Sequence, residues 1–228
     1  MSVASSLDQF SLQTRVRQSL GASNIAIYEM VARALAKRQA SGDLIVDIGC
    51  GVGNLFPFVS HMFSRYVGVD AVRYTELPDD VEFHSVDLDT GKAPLPENIA
   101  DAVVAVETIE HLENPRALMR ELVRLAKPNG WVIITTPNQL SLLSLLTLLL
   151  KHRFTAFQEA DYPAHLTALL EIDLQRIATE CRLTELSFAY SLRGRLILTP
   201  YYYPQFLSRL FPRELSDNIL LMGRKLND

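Results

Sequence analysis

The sequence predicts an α/β fold of the Rossmann-like, doubly wound type. Seven strands are expected to form a mostly parallel sheet, with helices on both faces and a small cap on the substrate side. Two observations support this. Short apolar runs alternate with helical segments, a pattern typical of buried parallel strands covered by helices. A glycine-rich turn, GCGVG at 49–53, directly follows the first such run.

Apolar periodicity defines the elements in chain order. The first is a helix from about Phe10 to Gln39, which ends at Ser41-Gly42, a pair typical of a helix stop. Pro115 suits the first turn of a later helix. Strands are predicted at 44–48, 66–69, 81–86, 101–106, 131–135, 184–190 and 218–224, and helices at 55–63, 115–126 and 171–181.

All 228 residues are expected to form one domain, a length that can bury a substantial core. Residues 1–42 form the N-terminal helices, and residues 43–136 form the cofactor-binding core. The strand and helix alternation stops after Pro137. Residues 137–170 are therefore interpreted as a substrate-side insertion and residues 171–228 as the C-terminal part of the sheet.

Composition and charge exclude several functional classes. The net charge is −4, and no cluster of Lys and Arg appears, so a nucleic-acid partner is disfavoured and a small-molecule substrate is expected. Cys50 and Cys181 are too few for a disulfide framework. The first fifteen residues are largely polar, unlike a secretory signal. The prediction is a cytoplasmic protein.

A leucine-rich run, Leu140 to Leu150, has two interpretations. Its eleven residues fall well short of the roughly twenty that a membrane-spanning helix needs. It is either a buried or cap-forming helix, or an exposed apolar face that meets a lipid surface, an apolar substrate or a partner subunit.

The glycine turn indicates what kind of ligand the core receives. Gly49, Gly51 and Gly53 form G-x-G-x-G, and Asn54 stands where a G-x-G-x-x-G dinucleotide motif has its last glycine. Glycines at such a turn let the backbone approach a ligand closely. Asp47 would repel a diphosphate but suits a ligand with an ammonium group. A cationic amino-acid ligand is therefore favoured over a nicotinamide dinucleotide.

The turn VDIGCGVGN at 46–54 resembles the first motif of class I S-adenosylmethionine-dependent methyltransferases, especially ubiquinone-pathway O-methyltransferases and type 11 methyltransferases. Four later segments resemble the family's following motifs in the same order: GVD at 68–70, SVDL at 85–88, DAVVAVETIEHL at 101–112 and LAKPNGW at 125–131. The resemblance implies S-adenosylmethionine as cofactor. The residues implied to bind it are Asp47, Gly49, Cys50, Gly51, Gly53, Asp70, Ala71, Asp87, Leu88 and Glu107.

Within that resemblance, the acids have separate roles. Asp70 is implied to accept both ribose hydroxyls, as a carboxylate can. Asp87 is implied to accept from the adenine amino group while Leu88 packs on the ring. Glu107 is implied to face the cofactor.

The string E-x-x-E-H at 107–111 has two interpretations. In the first, Glu107 contacts the cofactor side, Glu110 makes a structural hydrogen bond, and His111 holds the loop or acts as a base. In the second, these three residues bind a divalent cation with His165 as a fourth ligand. The second resembles ubiquinone-pathway catechol O-methyltransferases and small-RNA 2′-O-methyltransferases.

The predicted function is methyl transfer by in-line displacement, with His111 as the catalytic base. The expected acceptor is a hydroxyl oxygen on an apolar small molecule related to quinones, lipids or glycans. Its pocket is expected between the N-terminal helices, residues 137–170 and residues 193–211. The alternatives are a metal-dependent enzyme of the small-RNA 2′-O-methyltransferase type and a non-catalytic protein of methyltransferase shape.

Overall fold

The computed structural model describes residues 21–197 and 199–227. Seven strands form one sheet in the order β3-β2-β1-β4-β5-β7-β6. The strands are β1 (Gly42–Ile48), β2 (Phe63–Asp70), β3 (Glu82–Ser85), β4 (Ala100–Ala105), β5 (Ala126–Pro137), β6 (Leu183–Tyr190) and β7 (Asn218–Lys225). Strands β1 to β5 pair in parallel, whereas β7 is antiparallel to both β5 and β6. The predicted mostly parallel, doubly wound sheet is confirmed.

Six α-helices are found in the described residues. They are α1 (Ile25–Lys37), α2 (Phe56–Val59), α3 (Pro115–Leu125), α4 (Leu142–Lys151), α5 (Glu171–Glu180) and α6 (Gln205–Leu210). A 3-10 turn at Ile109–His111 follows β4. None of these helices combines the length and apolar character that crossing a membrane requires.

The helices cover both faces of the sheet because successive strand residues point to opposite sides. In β1, Val46 and Ile48 belong to the apolar core that includes α3 and α5. Ile45, the residue before Val46, points to the opposite side and belongs to the other core, which includes α1 and α2. All three β1 side chains are fully buried, so β1 lies in the centre of the molecule. The glycine turn directly follows its carboxyl end.

Two helix predictions are wrong in their bounds. The N-terminal helix begins at Ile25, because Asn24 caps it by accepting from the N–H of Ala26 and Gly21 has a left-handed φ of 59°. Residues 10–20 lie outside the described residues. The helix predicted over 55–63 is the short α2, because Phe63 already pairs with Gly42 as the first residue of β2.

The leucine-rich run forms α4, and this helix is not buried. Ser144 is its only buried residue, while Leu149 and Leu150 are 72% and 77% exposed. Burial of this run is therefore wrong, whereas a cap-forming helix and an exposed apolar face that meets a partner both stay predictions.

Candidate functional site

A cavity of about 590 Å³ lies at the carboxyl ends of the central strands, where open α/β sheets bind ligands. Its walls come from the residues before α1, the ends of β1, β2 and β4, and two segments that follow β5. One end of the cavity is formed by the glycine turn. The other is formed by the segments 156–165 and 191–218.

The glycine turn depends on backbone conformations that glycine alone adopts without strain. Gly49, Gly51 and Gly53 have φ values of 76°, 52° and 79°, in the left-handed region. A Cβ on Gly51 would lie 2.0 Å from the Gly21 carbonyl oxygen. Gly49 and Gly51 line the cavity, as does Cys50, whereas Gly53 does not. Gly53 instead packs against Leu77, which a Cβ would approach to 2.7 Å.

Asp47 is buried beneath this turn. Its Oδ2 accepts a hydrogen bond of 2.5 Å from the hydroxyl of Tyr66, and its Oδ1 has no hydrogen-bond partner among the described residues. Burial raises the pKa of Asp47 to about 7, against the opposing effect of the Tyr66 hydrogen bond. The side chain lines the cavity, so an unsatisfied carboxylate oxygen is available to a cationic ligand.

Asp70, at the end of β2, is oriented by the backbone around it. Its Oδ2 accepts from the N–H of Gly51 at 2.8 Å, and its Oδ1 accepts from the N–H of Ala71 at 2.6 Å. Burial raises its pKa, while these hydrogen bonds oppose the rise. The Val72 N–H is a third backbone donor, and a carboxylate has about four lone-pair positions, so acceptor capacity remains for a ligand in the cavity, which Asp70 and Ala71 both line.

Asp87 and Leu88 also line the cavity, in the loop after β3. The Asp87 carboxylate accepts from the N–H of Asp89 at 3.0 Å, and Asp89 accepts from the N–H of Glu113 at 2.9 Å. These bonds hold the loop against the segment after β4. The structure thus brings the predicted acids of three strand ends into one cavity.

Glu107 lies at the cavity wall and is hydrogen-bonded to side chains of β5 and β7. Thr135 donates to its Oε1 at 2.9 Å, and the side-chain amide of Asn218 donates to its Oε2 at 2.7 Å. Its φ of 48° is left-handed, a strained conformation for a non-glycine residue. Burial and the nearby Glu110 both raise the pKa of Glu107. The sequence analysis missed Thr135 and Asn218, which no local motif marks.

Glu110, His111 and His165 form a cluster of possible metal ligands at the cavity. One ligand atom from each of them lies within 4.8 Å of the others, and the two imidazole rings are 4.8 Å apart. Glu107 is not a member of this group. Of the four predicted metal ligands, the structure therefore brings three together and directs the fourth towards β5 and β7.

The two histidines share one hydrogen-bonding pattern. Nδ1 of His111 lies 2.7 Å from the carbonyl oxygen of Ala164, and Nδ1 of His165 lies 2.5 Å from that of Ala156. A carbonyl oxygen only accepts, so in each neutral ring Nδ1 carries the proton and Nε2 has the lone pair. This is the arrangement of metal-binding and proton-accepting imidazoles.

Glu110 is fully buried beside these rings. Thr136 donates to its Oε2 at 3.1 Å, whereas its Oε1 has no hydrogen-bond partner among the described residues. Burial raises its pKa. Its backbone carbonyl accepts from the N–H groups of Leu166 and Thr167, which fixes the insertion that carries His165 against the turn that carries His111.

The far end of the cavity contains Arg193, Arg195, Tyr202 and Asp217. The Arg193 guanidinium lies 4.0 Å from the centre of the Tyr202 ring, and Arg195 pairs with Asp217 at 3.1 Å. The cavity lining does not include Tyr201, Tyr203 or Arg209, which are close to these residues in sequence, and it does not include His152.

Comparison with known proteins identifies the family. A family model described as a methyltransferase domain matches residues 24–182, which is more than half of the chain. The chain belongs to this methyltransferase family. The match agrees with the resemblance that the glycine turn and the four later motifs carry, and it includes every residue predicted to bind the cofactor.

Individual relatives agree with this assignment. The chain is 30% identical over 117 residues to a probable S-adenosylmethionine-dependent methyltransferase of Mycolicibacterium smegmatis, covering 50% of the chain and 45% of the relative. It is 27% identical over 109 residues to the ubiquinone biosynthesis O-methyltransferase of Albidiferax ferrireducens, covering 43% of each. The chain thus spans less than half the length of these curated relatives.

A solved structure supports the fold. The SAM-dependent methyltransferase from Archaeoglobus fulgidus aligns with a TM-score of 0.60 and 16% identity, covering 87% of the chain and 94% of that structure. At this identity the likeness concerns the fold, and the function has to be argued from the cavity.

Proposed function

We propose that this methyltransferase moves a methyl group from S-adenosylmethionine to a hydroxyl oxygen of a small, apolar acceptor. The observation that carries the proposal is the continuity of the cavity. One space joins the glycine turn and Asp70 at one end to Glu110, His111 and His165 further along. A donor and an acceptor held in such a cavity can be aligned for in-line transfer.

The cofactor is recognised by groups whose hydrogen bonds are incomplete. Asp70 would accept from the ribose diol, and Asp87 would accept from the adenine amino group beside Leu88. The unpartnered Oδ1 of Asp47 is suited to the ammonium group of the methionine portion. This interaction favours the ionised form of Asp47, whose pKa is raised to about 7 by burial.

Proton transfer is assigned to His111. S-adenosylmethionine supplies the methyl group: the acceptor oxygen bonds to the methyl carbon while the carbon–sulfur bond breaks and sulfur keeps its electron pair. The hydroxyl proton goes to Nε2 of His111, because Nδ1 donates to Ala164. That hydrogen bond also orients the ring and stabilises the imidazolium that forms.

The apolar character of the acceptor is supported by the relatives and by the far end of the cavity. Several relatives are named ubiquinone biosynthesis O-methyltransferases. In this chain, the Arg193 and Tyr202 pair offers a stacked, planar surface, and such surfaces suit aromatic ligands. A hydroxylated aromatic or quinol acceptor fits these features best.

A metal-assisted form of the reaction is the second candidate. Glu110, His111 and His165 offer oxygen and nitrogen ligands, and the buried, unpartnered Oε1 of Glu110 would be satisfied by a divalent cation. A cation bound there would acidify an acceptor hydroxyl. The donor set suits Zn²⁺ or Mn²⁺ better than Mg²⁺, because two of its three ligands are imidazoles.

Two other functions remain distinguishable by experiment. A small-RNA 2′-O-methyltransferase would share this ligand set, but the net charge of −4 opposes a polyanionic substrate. A non-catalytic binding protein of this shape would bind the cofactor without turnover.

The decisive experiment is calorimetric titration of the purified protein with S-adenosylmethionine and S-adenosylhomocysteine, with NADH as the control. Binding of both sulfur compounds without a response to NADH is expected. The formation of S-adenosylhomocysteine is then measured with hydroxylated aromatic acceptors and with short RNA. No binding of either sulfur compound would overturn the proposal, and turnover with RNA alone would replace the small-molecule acceptor.

The metal is tested in the same titration after treatment with a chelator. Zn²⁺, Mn²⁺ and Mg²⁺ are added in turn to the wild-type protein and to the variants Glu110→Gln and His165→Ala. A binding heat that both variants lose supports the cation site. Full turnover in the chelated protein with no metal binding would exclude it.

A further inference from the structure

Two helices of this protein bury polar residues and expose apolar ones, and they are called inverted helices for this reason. An amphipathic helix on a globular protein normally buries its apolar residues and exposes its polar ones. In α4, Ser144 is buried and the leucines at 142, 145, 149 and 150 are exposed. In α6, Ser208 is buried, while Phe206 and Leu210 are 64% and 68% exposed.

The inward face of α4 is held by hydroxyl groups. The Ser144 hydroxyl accepts from the N–H of Thr155, and the hydroxyls of Thr155 and Thr147 are hydrogen-bonded at 3.0 Å. Ser141 caps the start of α4 by accepting from the N–H of Ser144. The helix is thus fixed to the protein by its polar side. Four of its seven leucines are exposed, and the other three, Leu143, Leu146 and Leu148, are half-buried.

The exposed apolar residues are concentrated in one region. Among the described residues, seven of the thirteen exposed large hydrophobic side chains lie on α4, on α6 or directly after α6. The N–H of Leu142 donates to the carbonyl of Glu214 at 2.7 Å, and Asn138 bonds the carbonyls of Arg213 and Ser216. These bonds place the start of α4 against the segment that follows α6. The apolar face is formed by Leu142, Leu145, Leu149, Leu150, Phe206, Leu210 and Phe211.

The two segments that carry the apolar face contain basic residues and no acids. Residues 139–158 and 199–213 contain four Lys or Arg and no Asp or Glu, although acids outnumber bases in the whole chain, 26 to 22. Arg153 and Arg213 pair with Glu159 and Glu214. Lys151 and Arg209 are exposed and form no ion pair with any described residue. The face is therefore apolar with a basic margin.

We propose that the apolar face binds a membrane surface that contains anionic phospholipid. Leucine and phenylalanine side chains would enter the boundary between headgroups and acyl chains, and the basic margin would contact the phosphates. Helix α4 has ten residues and lies in the interface because it is too short to span a bilayer. A second copy of the chain is a poorer occupant, since a two-fold interface would bring the same basic residues together.

The helices of the apolar face are separated from cavity-lining residues by only a few positions in the sequence. Thr155, which holds α4, precedes Ala156, and Ala156 lines the cavity and accepts from His165. Tyr202 lines the cavity just before α6. One consequence rests on the proposed function: an apolar acceptor dissolved in the bilayer would reach the acceptor end of the cavity over a short path.

The test is flotation of the full chain with phosphatidylcholine vesicles prepared with and without phosphatidylglycerol. The wild-type protein is expected to float with the anionic vesicles. The double variant Leu149→Ser/Leu150→Ser should bind them at least about tenfold more weakly. The matched control Ile172→Ser/Leu226→Ser, which changes exposed apolar residues elsewhere, should bind like the wild type.

The basic margin is tested separately. Lys151→Gln/Arg209→Gln should weaken binding to anionic vesicles by about fivefold for each charge removed, whereas Lys37→Gln/Arg65→Gln should not. Binding of S-adenosylhomocysteine is measured for every variant, so that misfolding and failure of the proposed function are both distinguished from loss of the membrane contact.

Three results would overturn the proposal. The wild-type protein does not float with either kind of vesicle, the control double variant loses binding as much as the leucine variant, or the protein is a dimer in light scattering that only the leucine substitutions dissociate. The last result would assign the apolar face to a second copy of the chain.

Discussion

The two ends of the cavity are built in different ways. At the cofactor end, each important residue stands in or just after a strand, and nearby backbone N–H groups orient the carboxylates, as Gly51 and Ala71 do for Asp70. At the acceptor end, residues distant in sequence meet: His111 bonds Ala164, and the backbone carbonyl of Glu110 accepts from Leu166. Local motifs thus specify one end and tertiary contacts the other, so substitutions should affect the two ends separately.

The largest expected effect is on the acceptor side. His111→Ala should lower the rate of methyl transfer by about 10²- to 10⁴-fold, because the acceptor proton loses its base. The dissociation constant for S-adenosylhomocysteine should change by less than about twofold, since a catalytic base of this kind acts on the acceptor. Turnover and calorimetry check both values, with the exposed His61→Ala as control. A collapse of cofactor binding in His111→Ala would instead make His111 a structural residue.

The next effect is on the cofactor side. Asp70→Ala should weaken binding of S-adenosylhomocysteine by about 1 to 3 kcal/mol, because the ribose hydroxyls lose a charged acceptor. Calorimetry measures this difference, and Asp79→Ala, an exposed acid outside the cavity, is the matched control. An unchanged dissociation constant for Asp70→Ala would contradict the assignment to the ribose.

Asp47 links cofactor binding to stability. Its pKa is about 7 in the folded protein against an ordinary 3.8, so between these values the folded state binds more protons and stability falls as pH rises. Asp47→Asn should therefore raise the free energy of unfolding by roughly 1 to 3 kcal/mol above neutral pH and have no such effect near pH 4. Urea unfolding at both pH values tests this.

The same variant should weaken cofactor binding, because a neutral amide attracts an ammonium group less than a carboxylate does. Asp43→Asn, at an exposed position of β1, is the control. If Asp47→Asn were less stable at neutral pH, the buried carboxylate would have to be satisfied by interactions other than the single Tyr66 hydrogen bond.

The smallest effect concerns the inverted helix α4. Ser144→Ala should lower the free energy of unfolding by about 0.5 to 1.5 kcal/mol, because the partly buried N–H of Thr155 loses its acceptor. Leu149→Ser should change it by less than about 0.5 kcal/mol, as an exposed substitution usually does. Urea unfolding compares the two. A larger loss for Leu149→Ser would mean that its side chain packs in the folded protein, and the apolar face would then be smaller.

Five of the seven strands were predicted to within two residues at each end, because each is an apolar run next to a turn signal, whereas β2 and β5 begin three and five residues before their predicted starts. Short-range patterns failed where distant pairing decided the outcome. The register of β2 against β1 requires Phe63 opposite Gly42, which shortens α2. The start of the N-terminal helix was missed for a different reason, since Asn24 is a favoured N-cap residue and its hydrogen bond to Ala26 is local. The register of β2 depends on a contact outside any local window, whereas the cap at Asn24 was a local signal.

The sequence by itself determined the order of strands and helices, the glycine turn and the acids at the strand ends. These features are encoded locally, because a strand end and the loop after it occupy neighbouring positions in the chain. Only the tertiary structure decided that Glu107 turns towards Asn218, that Glu110, His111 and His165 meet, and that the leucines of α4 are exposed. Those outcomes depend on how β5, β7 and the insertion pack together, and packing between distant segments is a property of the whole fold.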